Sequence, residues 1–384
     1  MQPSFMHSLR LTPEAPRPAL QERAQELLGA PLLNALFAIH RTGSIANAAR
    51  ALGLSYRHVW GLIRDHEASC GEQLVSSQSG QAAKLTTCGE RLLWAMERAR
   101  AHLWPRLRNI SAEFEAEVAL ALGRGDDRLR LLASDEPALG ALDAVWRASG
   151  AAAFDLRFAA PDEARDAIDT GVIALSDVAI PFAPEGVAHR NSPVHLHAGP
   201  GLRLGQHKLI RMGSREVGLL MNASASALPE GVGLIDVLAS GARLVLREPG
   251  SAMHALARSL IKHEGDQRAA SASMQASAAR GLRHAVTETT QLGVAISVAS
   301  AAADVGLGLR CAAESYGLSF APVAQEQIFL VCLKQTLDDP RIEALRAMLA
   351  SHAWRDAMAA LPGYRAEGAG QVVSLRSTLP WYKS

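Results

Sequence analysis

The sequence predicts two folds in series, an all-α/winged-helix N-terminal domain and a larger α/β domain of two lobes. Three observations predict them. Between residues 31 and 70, short helical segments are separated by glycines and opened by serines. An apolar stripe with 4-3-4 spacing follows. From Arg128 onward, strand-like and helix-like segments alternate. With 384 residues, 48% hydrophobic and 20% charged, the chain has apolar mass for two or three cores.

Bulk charge and cysteine usage narrow the class. The net charge is +1, so the whole molecule is no polycation and any basic face must be local. Cys70, Cys88, Cys311 and Cys332 form no CxxC pair, which argues against a zinc site or a disulfide framework and fits a reducing cytoplasm. The N-terminus lacks an apolar core with a cleavage site, and no run reaches the length of a membrane span. The expectation is a cytoplasmic protein without a membrane partner.

Residues 1–29 are rich in proline and read as a flexible arm. "PLLNALFAIHRTG" places Leu32, Leu33, Leu36, Phe37 and Ile39 at helical spacing, with Pro31 at a first helical position. Gly43 stops that helix and Ser44 caps "IANAARAL", whose Ala48 and Ala49 permit close helix approach. Gly53 ends the second helix, Leu54 plugs the turn, and Ser55 caps "YRHVWGLIRDHEASC". Helix, tight turn, helix is the helix-turn-helix arrangement, although a plain three-helix core has the same spacing. Two strand-like pieces, Gln73–Ser76 and Ala83–Leu85, flank a Ser/Gly/Gln tip and suit a wing. Thr87 with Glu90 reads as a capping box opening a fourth helix. From Arg41 to Arg108 there are ten Lys/Arg against five Asp/Glu, a local excess suited to phosphates.

"GSIANAARALGLSYRHVWGLIRDHE" with "LTTCGERLL" resembles the winged helix-turn-helix of LysR-type and molybdate-responsive ModE-type regulators. "SYRHVW" is nearer the ModE type. The resemblance implies a DNA-binding domain over residues 30–90. Ser55, Tyr56, Arg57 and His58 would start its recognition helix, with Ser44, Arg64 and Lys84 as further DNA contacts. Trp60, Leu62 and Ile63 are expected to pack inward. The fourth helix carries Leu92, Met96, Ala99, Leu103, Leu107, Ile110 and Phe114 on one stripe. That stripe packs either on its own domain or, as we favour, as a dimer seam in a linker over residues 91–126. Pro105 predicts a kink or break there.

Over residues 127–370, "RLRLLAS", "FDLRFA", "SDVAIPF", "KLIRMG", "VGLLMN" and "ARLVLRE" read as strands among helices, up to a 371–384 tail. Such alternation predicts open α/β sheets with ligands at strand C-termini. Three junctions pass from a strand directly into a helix start: Ser134-Asp135-Glu136, Gly250-Ser251-Ala252-Met253, and Thr289-Thr290. Unpaired N–H groups at a helix start attract anions, although each junction alone is more often only a cap.

"SDEPALGAL", "REPGSAMHALARSL", "ETTQLGVAISVASAAADVGLGLR" and "LASHAWRDAMAALPGY" resemble molybdate/tungstate-binding-like domains of the binding-protein superfamily. The implied fold is a two-lobed, type II periplasmic-binding-protein-like domain. The resemblance makes Ser134, Asp135, Gly250, Ser251, Ala252, Met253, Thr289 and Thr290 the ligand-binding candidates. The ligand would be molybdate, tungstate or another small anion. Asp304 would be structural. Asp135 is either a cap turned from the ligand or a sign of a different ligand. Ala252-Met253 replaces the family's Gly-Thr, and Thr290 stands where many relatives carry histidine; a small carboxylate such as formate tolerates fewer donors. His195 and His197 with Cys311 could suggest metal or nucleophilic chemistry, but no third ligand and no catalytic motif accompanies them. The expectation is therefore no enzyme, no metal and no cofactor. The resemblance implies instead a transcriptional regulator binding operator DNA as a homodimer or homotetramer and serving molybdoenzyme genes such as formate dehydrogenase. The rival class is an oxyanion-binding protein that does not bind DNA.

Overall fold

The computed structural model describes residues 30–76, 82–123, 128–150, 154–171, 173–182, 202–222, 233–267 and 271–379. The N-terminal arm, the wing tip and the His195–His197 pair lie outside them. The chain divides into two compact units, Met1–Glu97 and Arg98–Ser384.

The first unit begins with α1 (Ala30–Thr42), α2 (Ile45–Ala51) and α3 (Tyr56–Cys70). Leu32, Leu33, Leu36, Ile39, Ile45, Ala48, Val59 and Ile63 form its core. Ser44 Oγ accepts from Asn47 N and Ser55 Oγ from His58 N, so both expected caps are present. Leu54 does not plug its turn; its side chain is exposed, while the buried apolar positions of this region are Ile45, Ala48 and Ala49 of α2. Trp60 and Leu62 are only half-buried, since Val59, Ile63 and Glu67 fill the inward face of α3. The wing is β1 (Val75–Ser76) paired antiparallel with β2 (Lys84–Leu85). The buried Glu67 carboxylate accepts from Leu74 N at 2.8 Å and Val75 N at 3.1 Å, tying α3 to the wing.

Helix α4 (Thr87–Ala121) follows. Its cap is Thr86 rather than Thr87: Thr86 Oγ1 accepts from Gly89 N at 3.0 Å, and Thr86 Oγ1 donates to Gln73 O at 2.6 Å. Glu90 therefore stands one place too late for a capping box. A Cβ at Gly89 would lie 2.1 Å from Leu74 O, which accounts for the glycine of the LT-x-x-G sequence. Pro105 does not break α4. Its missing N–H costs one backbone hydrogen bond, and the helical turns on both sides outweigh that loss. Met96 is buried, whereas Leu103, Leu107, Ile110, Phe114 and Val118 are exposed.

The second unit has two lobes. One carries β3 (Leu129–Ala133), α5 (Pro137–Ala148), β4 (Phe154–Phe158), α6 (Pro161–Asp169) and β5 (Ser176–Phe182). β6 (His207–Met221) then runs into the other lobe: α7 (Leu234–Ala239), β7 (Leu244–Arg247), α8 (Ala252–Gln267), α9 (Ala272–Arg283), β8 (Val286–Glu288), α10 (Gln291–Ala299), β9 (Val305–Leu309) and α11 (Arg310–Ser315). β10 (Ser319–Leu333) returns to the first lobe. There α12 (Pro340–Leu349), α13 (His352–Ala359), β11 (Tyr364–Arg365), β12 (Val372–Ser374) and α14 (Leu375–Thr378) complete the described chain.

β3 and β4 are parallel, as are β9, β7 and β8. The larger sheet has the order β5-β10-β6-β9-β7-β8, with β11 and β12 also on β6. β6 and β10 pair antiparallel from His207↔Leu333 to Met221↔Ser319 and cross both lobes. "KLIRMG" and "VGLLMN" are thus one strand and not two. Gly213 does not end it; a Cβ there would meet Arg365 O at 2.1 Å, so the residue serves the close approach of β11. No helix among the described residues is long and apolar enough to cross a membrane.

Candidate functional site

In the first unit, Ser55, Tyr56, Arg57 and His58 are all exposed at the start of α3, and Lys84 is exposed on β2. Ser44 is half-buried and spends its hydroxyl capping α2. Tyr56 stacks on Trp60 with ring centroids 6.3 Å apart, and the Arg64 guanidinium lies 4.5 Å from the Trp60 centroid. Arg64 Nη1 also donates to Glu67 Oε2 at 3.2 Å. Arg57 and His58 therefore stand as the extended polar groups of this helix start, while Arg64 is engaged within its own helix.

In the second unit, the junctions after β3 and β8 meet across the lobes. The Asp135 carboxylate accepts from Gln291 N, the first N–H of α10, at 2.6 Å. The same oxygen lies 3.7 Å from Arg247 Nη1, at the end of β7. Arg247 Nη1 also donates to Asp135 O at 3.4 Å, and Nη2 to Glu248 Oε1 at 3.4 Å. Arg247 is 3% exposed, and its Nε has no partner among the described residues; Gln291 Oε1, equally buried, has none either. A buried guanidinium with a free donor is costly unless something completes it.

The other expected ligand residues have local tasks. Ser134 N and Oγ both donate to Asp177, each at 2.6 Å. Desolvation pushes the Asp177 carboxyl above its ordinary range, against the pull of those bonds and of Arg247. Ser251 Oγ donates to Glu248 O at 2.7 Å and accepts from His254 N. Gly250 is exposed in the left-handed region, and Ala252 is half-buried. Met253 is buried in the apolar core, so its thioether is a packing group. Thr290 Oγ1 accepts from Gly293 N as the cap of α10. Thr289 is exposed, with its Oγ1 3.0 Å from His102 Nδ1 of α4; His102 Nε2 lies 3.2 Å from Glu288 Oε2. Asp304 is structural: it accepts from Arg243 N at 2.8 Å and from the Arg243 side chain.

Arg215 on β6 pairs with Glu326 of β10, with Nη2 at 2.6 Å, and with Glu136 of the β3–α5 junction. Tyr364 Oη donates to Glu136 Oε1 at 2.6 Å. Burial holds the Tyr364 hydroxyl well above its ordinary pKa, which keeps it a donor. Arg247, Gln291, Asp177 and the Arg215 cluster escaped sequence reasoning. The available signal was an arginine closing the apolar run "LVLR", all of which is buried.

Residues 31–90 match the family described as bacterial regulatory helix-turn-helix protein, lysR family. Residues 196–350 match the PBP superfamily domain. None of the curated proteins matches the chain. Among solved structures, the OxyR C206 mutant of Corynebacterium glutamicum is 16% identical, covering 85% of this chain and 94% of that one, with a TM-score of 0.40. Full-length CbnR with its target DNA is 17% identical over 83% and 98%, with a TM-score of 0.37. LysG of Corynebacterium glutamicum with bound effector Arg is 17% identical over 86% and 99%, also with a TM-score of 0.37. A segment matching the lysR-family helix-turn-helix thus precedes, in one chain, a segment matching the PBP superfamily domain.

Proposed function

We propose that the chain is a one-component transcriptional regulator that binds operator DNA through the start of α3 and the wing, and a small anion between its lobes. The observation that carries the anion reading is Arg247: a buried cation beside a helix N-terminus, with one donor unused. Asp135 and Glu248 already stand next to that cation. Adding a dianion such as molybdate or tungstate there would set four or more negative charges around one guanidinium. A monoanionic carboxylate such as formate fits the few donors better. The link to molybdoenzyme genes, including formate dehydrogenase, rests on the resemblance of the sequence alone. The exposed stripe Leu103–Leu107–Ile110–Phe114–Val118 on α4 supports assembly through a second copy, as a homodimer or a pair of them.

Two measurements test this reading. A mobility-shift titration with the chain's own promoter region should show retention that Arg57→Ala weakens by about tenfold or more, the value of one good base contact. No retention, together with no effect of Arg57→Ala, returns the protein to the class of anion binders without DNA. A thermal-shift screen with formate, molybdate, tungstate and sulfate should show stabilisation by formate, lost in Arg247→Gln. A ligand at 100 times its Kd adds about 2.7 kcal/mol, so silence from all four removes the anion reading.

A further inference from the structure

The anion-attracting groups of the cleft are already shared with a carboxylate of the chain itself. Asp135 arrives from the lobe opposite to Arg247 and α10, and its oxygen sits on the first N–H of α10 at 2.6 Å. It is not the cap of that helix, because Thr290 already fills that role through Gly293 N at 2.9 Å. Its geometry toward Arg247 is poor. The carboxylate approaches Nη1 no nearer than 3.7 Å, well beyond the 2.7–2.9 Å of a charge-assisted bond; Nη1 is bonded instead to the Asp135 backbone carbonyl at 3.4 Å, and Nε is left over. A free carboxylate could engage Nε and an Nη side by side, which the tethered one does not reach.

We propose that Asp135 is an internal ligand, a tethered carboxylate that occupies the effector's place, holds the lobes together without effector, and must be displaced for effector to bind. The proposal rests on the reading of this cleft as an anion site. It adds that the site is self-competitive. Effector affinity is then reduced by the fraction of molecules in which Asp135 is seated, and removing that carboxylate restores it.

The test is calorimetry with sodium formate and sodium acetate on the full chain, comparing the wild type with Asp135→Ala, Asp135→Asn and Arg247→Gln. Amide exchange of the peptide containing Gln291 is followed in parallel. Asp135→Ala should bind formate about tenfold tighter or more. Its Gln291 amide should exchange faster than wild type without formate and regain protection with it. Asp135→Asn keeps an acceptor for Gln291 N and loses the charge, so it should fall between the two. It also stands in if the alanine variant fails to fold. Arg247→Gln should not bind. Equal formate affinity in wild type and both Asp135 variants overturns the internal-ligand proposal while leaving the anion site intact. No binding of either anion by any variant, including Asp135→Ala, overturns both. Unchanged Gln291 exchange in Asp135→Ala also overturns the proposal, since Asp135 would then not be seated there.

Discussion

Arg215→Met should be among the most damaging single changes to the second unit. Arg215 is 5% exposed and faces two carboxylates, Glu136 and Glu326, of which Glu326 is fully buried. After the change, Glu136 still accepts from Tyr364 Oη and Ala138 N, so it is partly provided for. Glu326 loses the only contacts described for it, because its Oε1 already has no partner. Removing one member of a buried ion pair costs about 3–5 kcal/mol, most of it the uncompensated charge left behind. Domains are stable by about 5–15 kcal/mol, so the loss takes a large share of that margin. Urea unfolding at pH 7, followed by fluorescence and circular dichroism, should show the lowered midpoint with little change in slope. Arg215→Met combined with Glu326→Leu should recover most of the loss, since the pair is directly opposed in register. A loss below about 1 kcal/mol for Arg215→Met, or a double variant no better than the single, would refute the assignment of this cluster as one ionic unit.

Gly89→Ala should destabilise the first unit by about 2 kcal/mol or more and abolish operator retention, because its Cβ would strike the Leu74 carbonyl that Thr86 N holds at 2.9 Å; unchanged melting would count against that contact. Native alkylation at pH 8 should modify exposed Cys70 but spare Cys311, whose thiol burial pushes up to about 11, and buried Cys332; mass spectrometry of tryptic peptides reads this directly. Asp177 has its folded pKa raised, so its share of stability is greatest at acid pH and is lost as pH rises from its ordinary value through the folded one. Asp177→Asn can keep both Ser134 bonds, and it should flatten the stability–pH curve in that window; an unaltered curve would place the slope elsewhere.

Local features were legible in the sequence. Ser44 and Ser55 announce α2 and α3 because capping is a contact over three residues. The alternation after Arg128 gave the α/β class for the same reason, since period and turn chemistry are short-range. What failed was long-range or depended on one residue of phase. Thr86 and Thr87 offer the same hydroxyl, and only the pull of Gln73 O decides which one caps α4. Gly213 looks like a strand end until β11 is placed against it. The helix starts drew the sequence reading to these junctions, yet the buried cation beside them was missed. Arg247 acquires its meaning only from Asp135, more than a hundred positions earlier in the chain, and nothing local marks that pairing.

The two long strands also impose an order of assembly. All of the second lobe, from α7 to α11, lies in the sequence between β6 and β10, whereas the first lobe is built from segments on both sides of that excursion. A ribosome delivering the chain from its N-terminus therefore releases the second lobe, apart from its share of β10, before the first lobe has the part of β10 against which β5 pairs. The half-made first lobe must wait with the facing edges of β5 and β6 unpaired. Joining β6 to β10 closes a loop of roughly a hundred residues, a step cheapened by the folded excursion that brings its ends together. Chains stalled so that α11 has just emerged from the ribosome should accordingly resist proteolysis between α7 and α11 while remaining open to cleavage between β3 and β5.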